Sequence, residues 1–238
     1  MDDLINDIKI FFEAQRDLYG SDIFLSFELA DEIPDFSPSP VITKTQPVSL
    51  PDEAEQSELV KFFYKIKDCM NCPLGETRTN FVFGTGNPQA DLMLVGEAPG
   101  RDEDLQGKPF VGRAGQLLTL MIQSIGLQRK DVFIANVLKC RPPNNRDPLP
   151  AEIEKCEPYL LKQIDLISPK LIVAMGRFAA ASLLRTKSAL GELRKNIHSY
   201  NNRPLIVIYH PAALLRNPLL KKQAWEDLKK IRGLLLKE

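Results

Sequence analysis

Three polar residues and four cysteines hold most of the chemistry open to this sequence. Glu97, Asn136 and His210 each close or follow a short aliphatic run: Asp91-Leu-Met-Leu-Val95, Val132-Phe-Ile-Ala-Asn136 and Pro204-Leu-Ile-Val-Ile-Tyr209. A carboxylate can orient or deprotonate water, an amide can read the edge of a heterocycle, and an imidazole can donate to a developing oxyanion. Each has a plainer alternative. Gly96-Glu-Ala-Pro-Gly100 could be only a tight turn, and a lone histidine is more often a satisfied structural residue. His198 takes that plainer reading. Glu97 resists it, because a purely structural loop gains little from a charge at the mouth of a buried strand.

The cysteines fall as Cys69-x2-Cys72, then Cys140, then Cys156. In a chain read as cytosolic they are not expected to form disulfides, and the set suits a four-thiolate site. Spacing alone leaves zinc and a 4Fe-4S cluster equally open, with independent buried thiols as the alternative.

These residues need elements to position them. A further aliphatic run, Lys170-Leu-Ile-Val-Ala-Met175, joins the three already named, and each is short and β-branched, as in strands buried on both faces. Helical patterns fall at about 113–125, 150–167, 176–184 and 218–236. Strands alternating with helices predict a three-layer α/β/α fold around a central, mostly parallel four-stranded sheet. In such sheets ligands bind beyond the carboxyl ends of the strands, where the acid, the amide and the imidazole converge. No GxGxxG follows a strand, which argues against a dinucleotide site, and no GxSxG elbow supports an acyl-transfer triad.

The formal net charge is zero, but it is unevenly spread. Residues 1 to 56 hold 3 basic and 13 acidic residues, leaving 28 basic and 18 acidic in the rest. A basic body can grip a polyanion, although a solvated lysine-rich surface has the same composition. The acidic head reads as a short amphipathic helix to about Gly20 and then a proline-rich, disordered linker, with the folded domain spanning 57–238. No apolar run approaches a bilayer span, and the N-terminus carries acids where a signal peptide carries lysine or arginine, so the expected location is cytoplasmic and nucleoid-associated.

From about Cys69 onward the sequence resembles the family 4, iron-sulfur uracil-DNA glycosylases. The matching segments are Gly96-Glu-Ala-Pro-Gly-Arg-Asp-Glu-Asp104, Gln106-Gly-Lys-Pro-Phe-Val-Gly-Arg-Ala-Gly115, Asn136-Val-Leu-Lys-Cys-Arg-Pro-Pro143 and His210-Pro-Ala-Ala-Leu-Leu-Arg-Asn-Pro218. The resemblance implies a structural 4Fe-4S cluster on Cys69, Cys72, Cys140 and Cys156. It implies Glu97 and His210 as catalytic residues, with Ala98, Glu103, Phe110 and Asn136 at the substrate. Phe110 would stack on the base, Asn136 would read it, and Glu103 would crowd its C5 position against thymine.

An enzyme of this kind removes uracil from single- or double-stranded DNA and leaves an abasic site, the first step of base excision repair. It must extrude its target, which takes a wedge and phosphate grips. Leu214, Leu215 and Arg216 are the expected wedge, and Lys108, Arg113, Arg141 and Arg146 the expected grips. A monomer is expected, with residues 1 to 56 open to a protein partner. Two other readings stay in view: a non-catalytic iron-sulfur DNA-binding module serving replication, and a glycosylase of broader specificity for deaminated bases. The joint presence of Glu97, Asn136 and His210 speaks against the first.

Overall fold

The computed structural model describes residues 57–236, so the expected N-terminal helix and linker lie outside it. Ser57 opens the first helix among the described residues, α1 (Glu58–Ile66), with its hydroxyl accepting from the Val60 amide at 3.4 Å. After a single turn, α2 (Leu74–Thr77), come strands β1 (Thr85–Gly86) and β2 (Leu92–Gly96), helices α3 (Arg101–Gln106) and α4 (Arg113–Ser124), and β3 (Phe133–Asn136). Then follow α5 (Pro150–Ile167), β4 (Leu171–Met175), α6 (Gly176–Leu184), α7 (Leu190–Leu193), β5 (Ile197–Tyr200), β6 (Arg203–Ile208), α8 (Pro211–Arg216) and α9 (Lys221–Leu235).

The strands form one sheet in the order β1-β3-β2-β4-β6-β5. The inner four, β3, β2, β4 and β6, are parallel and coincide with the four aliphatic runs. Two antiparallel edge strands enlarge the expected four-stranded sheet to six. Neither has an aliphatic run to announce it, since β1 is only Thr85–Gly86 and β5, Ile-His-Ser-Tyr, is partly exposed along its length. His198 on β5 bonds the Leu193 carbonyl through Nε2 at 2.8 Å, the structural role expected of it.

Side-chain alternation splits the core in two. Met93 and Val95 of β2 join Ala135, Ile172, Ala174, Leu205 and Val207 on one face, covered by α1, α5, α6 and α7. Leu92 and Leu94 join Ile134, Val173, Ile206 and Ile208 on the other, covered by α4, α8 and α9. A period of two with both faces apolar is what an inner strand between two helix layers requires. Three layers result. The chain runs from β2 to β3 on one side and then crosses to β4 on the other, which places a topological switch point at the carboxyl end of β2.

The last helices correct one expectation. Leu214 is only 2% exposed and belongs to the core beside α4, so it cannot enter a base stack, whereas Leu215 is 41% exposed. The reason is helical geometry: α8 turns one leucine inward and the next outward, which adjacent positions in a sequence do not reveal. Leu214→Ala should therefore destabilise the protein by about 2–5 kcal/mol, and Leu215→Ala by less than about 0.5 kcal/mol, as measured by urea unfolding.

Candidate active site

Parallel pairing of β2 with β3 sets Gly96 opposite Asn136. Beyond that pair the ladder continues, with Val137 and Leu138 donating to the Gly96 and Glu97 carbonyls at 2.9 and 3.0 Å. Gly96 is glycine for a spatial reason. A Cβ there would collide with Asn136 Oδ1 and stand 2.7 Å from the Phe110 ring. Asn136 is buried at 2% exposure, and its Oδ1 has no hydrogen-bond partner. A buried amide oxygen left unpaired costs about 1–3 kcal/mol, so this acceptor waits for a donor.

Phe110 takes the left-handed conformation, φ 54°, which costs an L-residue about 1–2 kcal/mol. Its ring lies 5.5 Å from the His210 ring at a 34° tilt. His210 caps α8, and its Nδ1 accepts from the Ala212 amide at 3.1 Å. That bond leaves the proton on Nε2, which is then a hydrogen-bond donor. Burial, reinforced by the Arg216 charge, pushes the imidazole down to about 4, against an opposing pull from Glu103. His210 is therefore a neutral donor at pH 7.

Glu97 moves the opposite way. Burial first, and then the Asp147 charge, push its carboxyl up to about 7, with Arg177 pulling it down. A carboxyl near 7 can take a proton from water and return it at neutral pH.

Glu103 is near enough for His210 to feel its charge, and it has a second task that the sequence did not announce. Its Oε1 accepts from the Val111 and Gly112 amides at 3.0 and 3.2 Å, so the carboxylate anchors the turn that carries Phe110. Ala98 packs its side chain toward the cysteines. Among the expected phosphate grips, Lys108 and Arg113 are exposed, and Arg141 bonds Asn145 Oδ1 through Nε at 2.8 Å. Arg146 is already paired. Its guanidinium forks onto Glu152, whose carboxylate also accepts from Leu149 at the start of α5, so this arginine is engaged in closing a helix end. Arg216 is exposed and its charge acts on His210, and Leu219, just after α8, is 87% exposed.

The four thiols lie near one another, with Cys69 and Cys72 close enough to act on Cys140. Cys140 and Cys156 pack with Leu74 and Leu138, and Cys72 lies against them. Each of three sulfurs draws a different donor: Asn71 N and the Tyr159 hydroxyl reach Cys69 at 3.5 and 3.1 Å, Arg78 Nη1 reaches Cys140 at 3.3 Å, and Lys139 N reaches Cys156 at 3.3 Å. Among the described residues no three His, Cys, Asp or Glu side chains close around a single metal ion.

Lys139, within a motif but given no role by the sequence, is wholly buried. Its Nζ donates to the Asn136 carbonyl at 2.8 Å and to Gln163 Oε1 at 2.6 Å, tying the amide-bearing residue to α5. Arg177 and Asp147 also escaped the sequence reading. Their charges act on Glu97, but Asp147 comes from the loop before α5 and Arg177 from the first turn of α6, with no shared spacing.

Among the described residues no helix is long and apolar enough to cross a membrane. The profile of the Uracil DNA glycosylase superfamily matches residues 83–229. Similar proteins include a Type-4 uracil-DNA glycosylase of Archaeoglobus fulgidus, 50% identical over 178 residues, which are 70% of this chain and 88% of that one. Another, of Sulfurisphaera tokodaii, is 49% identical over 187 residues, 75% of this chain and 85% of the relative. A third, of Saccharolobus solfataricus, is 44% identical over 180 residues, 72% and 83% of the two chains. With Glu97, Phe110, Asn136 and His210 brought together at the switch point of a three-layer fold, and with this degree of likeness over its folded part, the chain belongs to the uracil-DNA glycosylase superfamily.

Proposed function

We propose that the chain extrudes uracil from DNA and hydrolyses the bond between base and deoxyribose, leaving an abasic site for repair. The observation that carries this reading is the unpaired, buried Oδ1 of Asn136 beside the Phe110 ring. Uracil offers N3–H to that oxygen and O4 to the amide nitrogen. Cytosine reverses both contacts, and each mispaired buried group costs about 1–3 kcal/mol. Phe110 supplies the stacking face.

As the N1–C1′ bond breaks, its electron pair moves onto the base and positive charge grows on the sugar. His210 Nε2–H donates to the oxyanion developing at O2, a preorganised contact of a kind worth about 2.7–4 kcal/mol. Glu97 orients the water, takes its proton as oxygen joins C1′, and as a carboxylate stabilises the cationic sugar. Lys108, Arg113, Arg141 and Arg216 are the proposed phosphate contacts. Leu215 and Leu219 are the proposed wedge, one exposed as expected and one unannounced.

The cysteine set fits a 4Fe-4S cluster. It comprises four thiols with no histidine, gathered around an apolar centre with N–H and O–H donors directed at the sulfurs. A four-iron cluster is wider than one ion and asks for a looser ring of ligands. Cys69, Cys72, Cys140 and Cys156 would hold it, and its contribution would be mechanical, joining the segment after α1 to the loop after β3 and to α5.

Oligonucleotides carrying one uracil, hypoxanthine or xanthine, treated with protein and then alkali, should be cut at uracil; an intact uracil strand refutes the reading. Asn136→Asp should lose most uracil excision. In free-enzyme kcat/KM profiles the rate should rise with pH through about 7 as Glu97 ionises, with no limb from His210 above pH 5. The same shift has a stability consequence. Folded Glu97 holds its proton more tightly than the unfolded chain, so stability falls as pH rises from 4.5 to about 7. Glu97→Gln should consequently gain on wild type in urea unfolding at pH 8 and lose that advantage below pH 4.5. Purified protein should be brown, with iron and acid-labile sulfide, and Cys140→Ser should lose colour and stability together.

A further inference from the structure

Phe110 occupies a backbone conformation that a phenylalanine does not choose, and two opposite charges hold it there. On the N–H side of the turn, the Glu103 carboxylate accepts from Val111 and Gly112. On the C=O side stands Arg129, a residue outside every motif of the sequence. Its Nη2 donates to the Pro109 carbonyl at 3.0 Å, and its Nη1 to the Phe110 carbonyl at 3.2 Å, to Thr119 Oγ1 at 3.3 Å and to the Gly115 carbonyl at 3.5 Å. No carboxylate pairs with Arg129 among the described residues, so its planar fork is spent on main-chain oxygens. Gly115 completes the clamp, because a Cβ there would run into the Phe110 carbonyl.

We propose that Arg129 is a positioning residue for base recognition, holding the Phe110 ring in stacking orientation through the carbonyls of Pro109 and Phe110 while Glu103 holds the amides that follow. A cation on the carbonyls and an anion on the amides match the dipoles of one turn from both ends. A strained residue persists only when its surroundings over-determine it, and here they do. The proposal rests on the glycosylase reading above only for its kinetic test.

That test is a double-mutant cycle read by single-turnover uracil excision. Arg129→Met should slow excision about 10- to 100-fold, the scale expected when a positioning group is lost away from the reacting bond. It should leave the affinity for uracil-free DNA of the same length within about twofold, since the phosphate contacts lie elsewhere. In a Phe110→Leu background the same substitution should change the rate by less than about threefold, because the ring it serves is gone. Arg129→Lys keeps the charge but not the fork and should fall between wild type and Arg129→Met. Equal losses in both backgrounds, or a wild-type rate in Arg129→Met, overturn the proposal.

Wild type that leaves uracil in place would defeat the function and not the clamp, which has its own readout. In protein labelled with 4-fluorophenylalanine, the Phe110 signal is the one lost in Phe110→Leu. Arg129→Met should shift or broaden that fluorine signal and leave those of rings remote from the turn in place; an unmoved Phe110 signal refutes the clamp. If Arg129→Met does not fold, Arg129→Lys is carried through the same cycle and the same spectra, with the same outcomes decisive.

Discussion

At Gly96 the main chain of β2 meets the Asn136 amide oxygen on one side and the Phe110 ring on another, at distances that leave no room for a Cβ. This contact ties three separate pieces of chain to one point. The register of β2 on β3 delivers Asn136, the clamped turn before α4 delivers Phe110, and the end of β2 continues directly into Glu97. A second glycine does the same on the other side. Gly176, at φ +89°, would place a Cβ 2.8 Å from that of His210, so the imidazole sits against bare backbone at the carboxyl end of β4. Bare peptide at Gly96 and Gly176 thus lies between the side chains proposed to do the chemistry.

Burial then sets the protonation states. The same desolvation that raises Glu97 lowers His210, so both groups move toward their neutral forms. For the imidazole this is consistent with a donor that never charges at working pH, its tautomer held by the Ala212 amide. For the carboxyl it means a group balanced between accepting and returning a proton. Unlike neighbouring charges refine the balance at each: Asp147 against Arg177 around Glu97, Arg216 against Glu103 around His210.

The thiol cluster and the pocket are joined by short covalent and hydrogen-bonded routes. Asn136 and Cys140 are separated by three residues of buried chain, and the ammonium of Lys139 spans the same interval by bonding the Asn136 carbonyl and Gln163 of α5. A wholly buried lysine is costly, and burial lowers it to about 8 while the Cys156 and Cys140 sulfurs pull it back up. Whatever tightens the cysteines therefore also steadies the backbone of Asn136.

The four inner strands were legible because burial on both faces leaves a continuous aliphatic run, and α4, α5 and α6 because their apolar residues recur at helical spacing. Glu97, Asn136 and His210 were legible because each ends such a run at the edge where α/β sheets bind ligands. The sequence by itself also determined the four-cysteine set and, through its motifs, the family. Only the tertiary structure separated Leu214 from Leu215, gave Arg146 to Glu152 and turned Glu103 onto the backbone of the Phe110 turn. It alone brought Arg129, Arg177 and Asp147 to the site. These assignments depend on which groups from distant segments come within hydrogen-bonding or Coulomb range, and no local pattern of residues encodes a distance between segments that meet only when the sheet has formed.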